Sequence, residues 1–180
     1  PADFTPEGGL DGDRETATAQ AAAEALRQHG IQEVVADRTL GLLFVEHLRA
    51  AGITLRLDPN LGVAERRQKD AKELEMLHEC QCVTEAAVRM ACERIAAATP
   101  DAEGFLLEDG EPLTSERMQA IIDIFLFQQG FAGSDSIVAG AKDGGDCHER
   151  GTGALRTEEP IIVDIFPRSA HNRYHGDCTR

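Results

Sequence analysis

Asp164 and Asp177 are the residues of this chain best suited to chemistry. The first lies within Ile161-Ile162-Val163-Asp164-Ile165-Phe166 and the second within Tyr174-His175-Gly176-Asp177-Cys178-Thr179-Arg180. Both runs read as strands, joined by a polar stretch containing Pro167. A carboxylate between Val163 and Ile165 is costly to bury without a partner. Paired in an antiparallel hairpin with both side chains on one face, the two carboxylates could approach closely enough to bridge metal ions. Bare carboxylates about 4 Å apart repel by roughly 4 kcal/mol at an effective dielectric of about 20. A divalent cation offsets that repulsion best. Hard oxygen ligands suit manganese, cobalt, zinc or iron, and a bridged ion pair supplies a water of lowered pKa as a nucleophile near neutral pH. The plainer reading of Asp164 is a buried carboxylate satisfied by backbone donors or an arginine. His175, two residues before Asp177, falls on the same strand face, so spacing alone nominates it as a third ligand, against the favoured reading of an exposed histidine that does not ligate.

Two helices are expected to carry these strands. Residues 69–98 place Leu74, Leu77, Val83, Ala87, Val88, Ala91 and Ile95 at helical spacing, ending at Thr99-Pro100. Residues 115–129 do the same with Met118, Ile121, Ile122, Phe125 and Leu126, ending at Gly130. Neither helix can bury its apolar stripe alone, so both should pack on a sheet that includes the aspartate strands. A further short strand is expected at 137–139, and the glycine-rich stretch 139–146 lacks the pattern of a phosphate loop.

The first third reads as a small α/β unit. A helix over 15–28 should stop at Gly30, and a strand should cover 32–36. Thr39 is placed to cap a helix bearing Leu42, Leu43, Val45 and Leu48, which gives way at Gly52 to a strand over 53–57. This β-α-β order implies parallel strands. The segment Asp58-Pro59-Asn60-Leu61-Gly62 then punctuates the chain, and a domain boundary is expected near Glu65.

Composition bounds the rest. With 180 residues, 42% of them hydrophobic, the chain can bury a real core. Its 32 acidic against 18 basic residues, a formal charge of -14, would repel a phosphate backbone, which argues against nucleic-acid binding. No apolar run approaches the ~20 residues that span a bilayer, and Pro1-Ala2-Asp3-Phe4-Thr5 does not read as a signal peptide. A cytoplasmic location is expected, and the five cysteines are read as reduced thiols.

Four motifs stand in order: Arg66-x-x-Lys69-x-x-x-Glu73, Cys147-His148-x-x-Gly151-Thr152-Gly153, Val163-Asp164-Ile165-Phe166-Pro167-Arg168, and Tyr174-x-x-Asp177-x-Thr179-Arg180. Together they resemble the first part of a pita-bread metallopeptidase, the family of methionine aminopeptidase, Xaa-Pro aminopeptidase, prolidase and creatinase. The likeness is greatest to the Xaa-Pro dipeptidases and aminopeptidases, where such a helix start follows a small α/β domain. The fold implied is α+β: residues 1–65 as the C-terminal piece of a creatinase-like N-terminal domain, and residues 66–180 as the first half of a pita-bread catalytic domain.

The resemblance implies that Asp164 is the first metal-ligating aspartate and Asp177 the bridging one. His148 matches the histidine that contacts substrate, where an imidazole can bind a developing oxyanion or pass a proton. The remaining ligands of the dinuclear site, one histidine and two glutamates, lie in the second half of the fold. The expectation is therefore a truncated chain, inactive by itself, from a parent that hydrolyses short peptides with proline after the first residue. An unpaired sheet edge would invite a homodimer. A creatinase-like metal-free hydrolase and a non-catalytic peptide-binding module are the alternatives.

This sequence departs from the family in three places. The aspartates are thirteen residues apart, which implies an extended loop over 168–173; Phe166 stands near where the family has a glycine; and Glu149 follows His148 where a second histidine is common. Cys147 and Cys178 neighbour the site residues and could be soft ligands, although cysteine is more often a small buried hydrophobe.

Overall fold

The computed structural model describes residues 3–133 and 135–180. The chain divides into two compact units that meet between Gln68 and Lys69.

In the first unit the order is α1 (Arg14–Gln28), β1 (Glu33–Ala36), α2 (Leu42–Ala50), β2 (Thr54–Leu57) and α3 (Val63–Arg67). Asp13 caps α1 by accepting from Thr16 N at 2.8 Å. Gly30, with φ of 68°, ends the helix in the left-handed conformation that costs glycine least. β1 and β2 pair in parallel from Glu33 opposite Thr54 to Ala36 opposite Leu57. Ala23, Leu48 and Ile53 form the buried centre, with Leu26, Val34, Leu40 and Leu55 against it. The expected cap of α2 is corrected: Gly41 occupies the N-cap without a side-chain bond. Thr39 instead turns back, its N and Oγ1 donating to Asp37 Oδ1 at 2.8 and 2.6 Å, because a local aspartate competes for the hydroxyl. The short α3 crosses residue 65, where the sequence suggested only a boundary.

The second unit is built on α4 (Ala71–Ala97) and α5 (Ser115–Gln128). A capping box starts α4: Asp70 accepts from Glu73 N at 2.8 Å while Glu73 accepts from Asp70 N at 2.9 Å. Thr114 caps α5 by accepting from Arg117 N at 3.1 Å. Between the helices lies a small antiparallel sheet of β3 (Thr99–Pro100), β4 (Leu106–Glu108) and β5 (Glu111–Pro112), its strands too short to show in a periodic pattern. After α5 come β6 (Phe131–Ala132), β7 (Ile137–Gly140), a 3-10 turn at Asp143–Gly145, β8 (Ile161–Ile165), β9 (Arg168–Ser169) and β10 (Cys178–Thr179).

The principal sheet has the order β10-β8-β7, antiparallel throughout, and β6 pairs with β9 beside it. Both helices pack on this sheet as expected. Cys80, Ala87, Val88 and Ala91 of α4 share one buried cluster with Met118, Ile122 and Leu126 of α5 and with Val138, Val163, Ile165 and Cys178 of the sheet. The small residues along α4 let the strands approach it closely. No helix of the described residues is long and apolar enough to cross a membrane.

Candidate metal centre

The two aspartate strands form one hairpin in continuous register. Asp164 lies opposite Thr179 and Ile165 opposite Cys178. The pairing continues as Gly176 N donates to Pro167 O at 3.2 Å and Ser169 N to Tyr174 O at 2.9 Å. Residues 170–173 close the tip, with Arg173 in the left-handed region at φ 69° and its N donating to Ser169 O at 3.1 Å. The thirteen-residue spacing is thus taken up at the far end, away from the carboxylates.

Strand alternation sorts the hairpin into two rows. Ile165, Pro167, Ser169, Gly176 and Cys178 are buried, whereas Arg168, His175, Asp177 and Thr179 are exposed and Asp164 and Phe166 half-buried. Asp164 and Asp177 therefore share the outward row as diagonal neighbours, a relation that sets strand residues about 7–8 Å apart. That spacing lets two carboxylates lean toward ions held between them.

Gly176 decides which row faces out. A Cβ there would lie 2.0 Å from Thr84 Oγ1 and 2.6 Å from Cys80 O, so the strand rests backbone against backbone on α4. Asp177, the next residue, must then point away. Its own N donates to Gln81 Oε1 of α4 at 3.1 Å. Further along, Tyr174 Oη donates to Glu73 at 2.5 Å, tying the tip of the hairpin to the first turn of α4. This bond holds the Glu73 carboxyl below its ordinary range and pushes the Tyr174 phenol up.

The partner that Asp164 requires is Thr179, whose Oγ1 donates to Oδ1 at 2.6 Å. A neutral hydroxyl orients the carboxylate without neutralising it. Asp164 and Thr179 open on a cavity of about 290 Å³, whose other walls include Ile162, Ala139, Gly144, Asp146 and Cys147. A cavity of about 330 Å³ in the first unit is larger, but its charged residues are Arg38, Arg49, Arg56 and Asp37, a set unsuited to a cation.

His148 sits at the rim of the Asp164 cavity. It does not line the space itself, and its side chain is 92% exposed. The loop that carries it is anchored just beyond. Gln119 Nε2 donates to Arg150 O at 2.7 Å, and Gly153 N to Glu116 Oε1 at 3.0 Å, which lowers the Glu116 pKa. Gly151 has φ 85°, and a Cβ there would lie 2.0 Å from Val138 O, so only glycine lets this loop press on β7. His175 is exposed on the same outward row as the aspartates. Gly151 and Thr179 stand in the sequence motifs without a role, and nothing in the sequence singles out Gly176. Alternation would have put Thr179 in the aspartate row, but only the register sets it opposite Asp164.

No family model matches the sequence, and no curated protein matches it. Its structure is similar to the prolidase from Pyrococcus furiosus (TM-score 0.69, 16% identity), covering 89% of this chain and 44% of that one. The Xaa-Pro dipeptidase from Bacillus anthracis gives a TM-score of 0.71 at 19% identity, covering 90% and 42%. The X-Pro aminopeptidase from Thermotoga maritima gives 0.71 at 16%, covering 94% and 44%. The chain thus spans less than half the length of these structures. At such identities the likeness is one of fold, that of the N-terminal part of pita-bread proteins.

Proposed function

We propose that this chain is the leading part of a metal-dependent exopeptidase of the Xaa-Pro aminopeptidase or dipeptidase kind, acting on short peptides. The observation that carries the reading is the outward row of the hairpin, where Asp164 and Asp177 are diagonal neighbours across paired strands. Their oxygens fit a divalent ion pair of the manganese, cobalt, zinc or iron class. Bound there, such a pair would lower the pKa of a coordinated water and so make hydroxide available as a nucleophile near neutral pH.

The residues of this chain do the rest. Thr179 fixes the rotamer of Asp164 through its 2.6 Å hydrogen bond. Gly176 and Gln81 hold Asp177 outward. His148, in the loop anchored through Arg150 and Gly151 and next to the cavity residue Cys147, would contact a peptide entering the cavity and bind or protonate an oxygen there. Phe166 shares the outward row and narrows what can enter beside the aspartates. The open outer edge of β10, which pairs only with β8 among the described residues, is the basis for proposing a homodimer.

Two carboxylates do not close a dinuclear shell, so the 180-residue chain alone is expected to bind manganese or cobalt weakly and to hydrolyse no Xaa-Pro dipeptide. Calorimetric titration with manganese, which the carboxylate pair accepts and a thiolate-imidazole set disfavours, repeated on Asp164→Ala and Asp177→Ala, tests the assignment. Loss of the weak binding in both variants supports it. Binding unchanged in both variants refutes the site, and robust turnover by the chain alone refutes its incompleteness.

A further inference from the structure

Asp146, Cys147 and His148 form a second donor set, different in kind from the carboxylate pair. One ligand atom from each lies within 4.8 Å of the other two, and all three residues are exposed. Cys147 Sγ is 3.4 Å from His148 Nδ1, and that nitrogen is 3.7 Å from Asp146 Oδ1. A tetrahedral zinc ion, with bonds of about 2.3 Å to sulfur and about 2.0–2.1 Å to nitrogen and oxygen, sets such donors about 3.3–3.6 Å apart. The two separations that involve His148 Nδ1 match those of a bound ion to within a few tenths of an ångström, and the third, between Cys147 and Asp146, lies within 4.8 Å.

The loop is held in this form. Asp146 N donates to Asp143 O and Glu149 N to Asp146 O, each at 3.1 Å. On the far side, Gly151 is pressed against β7, where no side chain could fit. Asp146 and Cys147 also wall the cavity that Asp164 opens on, so an ion held by the loop would keep its remaining positions free toward water or a ligand.

We propose that Asp146, Cys147 and His148 bind a thiophilic divalent ion of the zinc class as a three-residue site beside the carboxylate pair. Thiolate and imidazole select zinc, cobalt or cadmium over magnesium, calcium and manganese, whereas the all-oxygen pair makes no such distinction. Occupation takes His148 Nδ1 away from any substrate, so excess zinc would regulate the cleft. That consequence rests on the role proposed above for His148; the binding itself does not.

The test is titration of the reduced chain with cobalt(II), read by the thiolate-to-cobalt charge-transfer absorption, which carboxylates do not produce. Cys147→Ser should abolish the band, and His148→Ala should weaken cobalt affinity by at least the roughly tenfold that even an outer-shell partner is worth. Two controls should keep it. Cys82→Ser removes the exposed thiol 3.6 Å from His78 Nε2 on α4. Asp164→Asn cripples the carboxylate pair, so its failure as a metal site and the failure of this one are told apart. Absence of the band in the unaltered chain overturns the proposal, as does its survival in Cys147→Ser or its loss in either control. Far-ultraviolet circular dichroism of each variant confirms that a lost band is not a lost fold.

Discussion

Thr179 illustrates how one hydroxyl can set a charged group without neutralising it. Its bond to Asp164 costs the carboxylate one lone pair and leaves the negative charge for a cation. Thr179→Val is therefore expected to leave the fold intact and to weaken manganese binding by about 10–100-fold, the usual effect of losing an orienting partner, as measured by calorimetry. Glu73 and Tyr174 give a pH signature. Glu73, its pKa depressed by the Tyr174 hydrogen bond, contributes stability that is present above the unfolded value of about 4.3 and lost as the pH falls through the folded one. Tyr174, its pKa raised by the same bond, contributes stability present below about 10 and lost as the pH rises through its folded value. Tyr174→Phe should flatten both limbs of the urea midpoint plotted against pH while leaving other acid and alkaline losses in place. An unchanged profile would show that the bond contributes nothing to stability in solution.

At the scale of elements, the site depends on how closely a strand and a loop approach their neighbours. Gly176 lets β10 enter against Thr84 and the Cys80 carbonyl, and Gly151 lets the His148 loop sit on Val138. Gly176→Ala puts a methyl group where backbone already is, and the hairpin must lift from α4. The expected loss is about 1–3 kcal/mol by denaturant unfolding, the range for overpacking a close contact. Metal binding should weaken at the same time, because Asp177 moves with the strand. Gly151→Ala meets both a clash and a positive φ, so its penalty should be at least as large, with the perturbation centred on residues 146–153. Amide exchange resolved by segment separates the two effects. Faster exchange confined to β10 in the first variant and to the loop in the second is the expected pattern.

For the whole molecule, the contrast is between two unequal cores. The unit over residues 69–180 buries the large residues Met118, Ile122, Leu126, Leu113, Leu155 and Ile165 essentially completely. The core cluster of the first unit centres on Ala23, Leu48 and Ile53, while Leu42 and Leu57 stand 72% and 67% exposed. Hydrophobic stabilisation scales with buried apolar area, so the second unit should hold more of the stability. A polypeptide of residues 69–180 is expected to unfold cooperatively by itself, whereas the full chain should show an earlier, broader transition from the first unit. A single coincident transition by circular dichroism and tyrosine fluorescence would count against this, since Tyr174, the chain's one tyrosine, reports on the second unit.

The sequence by itself determined the long helices, the parallel β-α-β order of the first unit and the two strands bearing Asp164 and Asp177. Apolar spacing over many residues carries that information, because one face must leave water. It also placed both aspartates among residues that could share a face, since strand alternation has a fixed period. Only the tertiary structure decided that they do share one. Register depends on pairing between residues far apart in the chain, and it put Thr179 opposite Asp164. The tight seat of Gly176 on α4 set which row faces outward. The cap of α2 and the short strands β3 to β5 escaped the reading because local competition for a hydroxyl and two- or three-residue pairings leave no periodic trace. The donor set of Asp146, Cys147 and His148 is contiguous in sequence, yet its ligand atoms are grouped by the turn bonds at Asp146 and Glu149 and by the seat of Gly151 on β7.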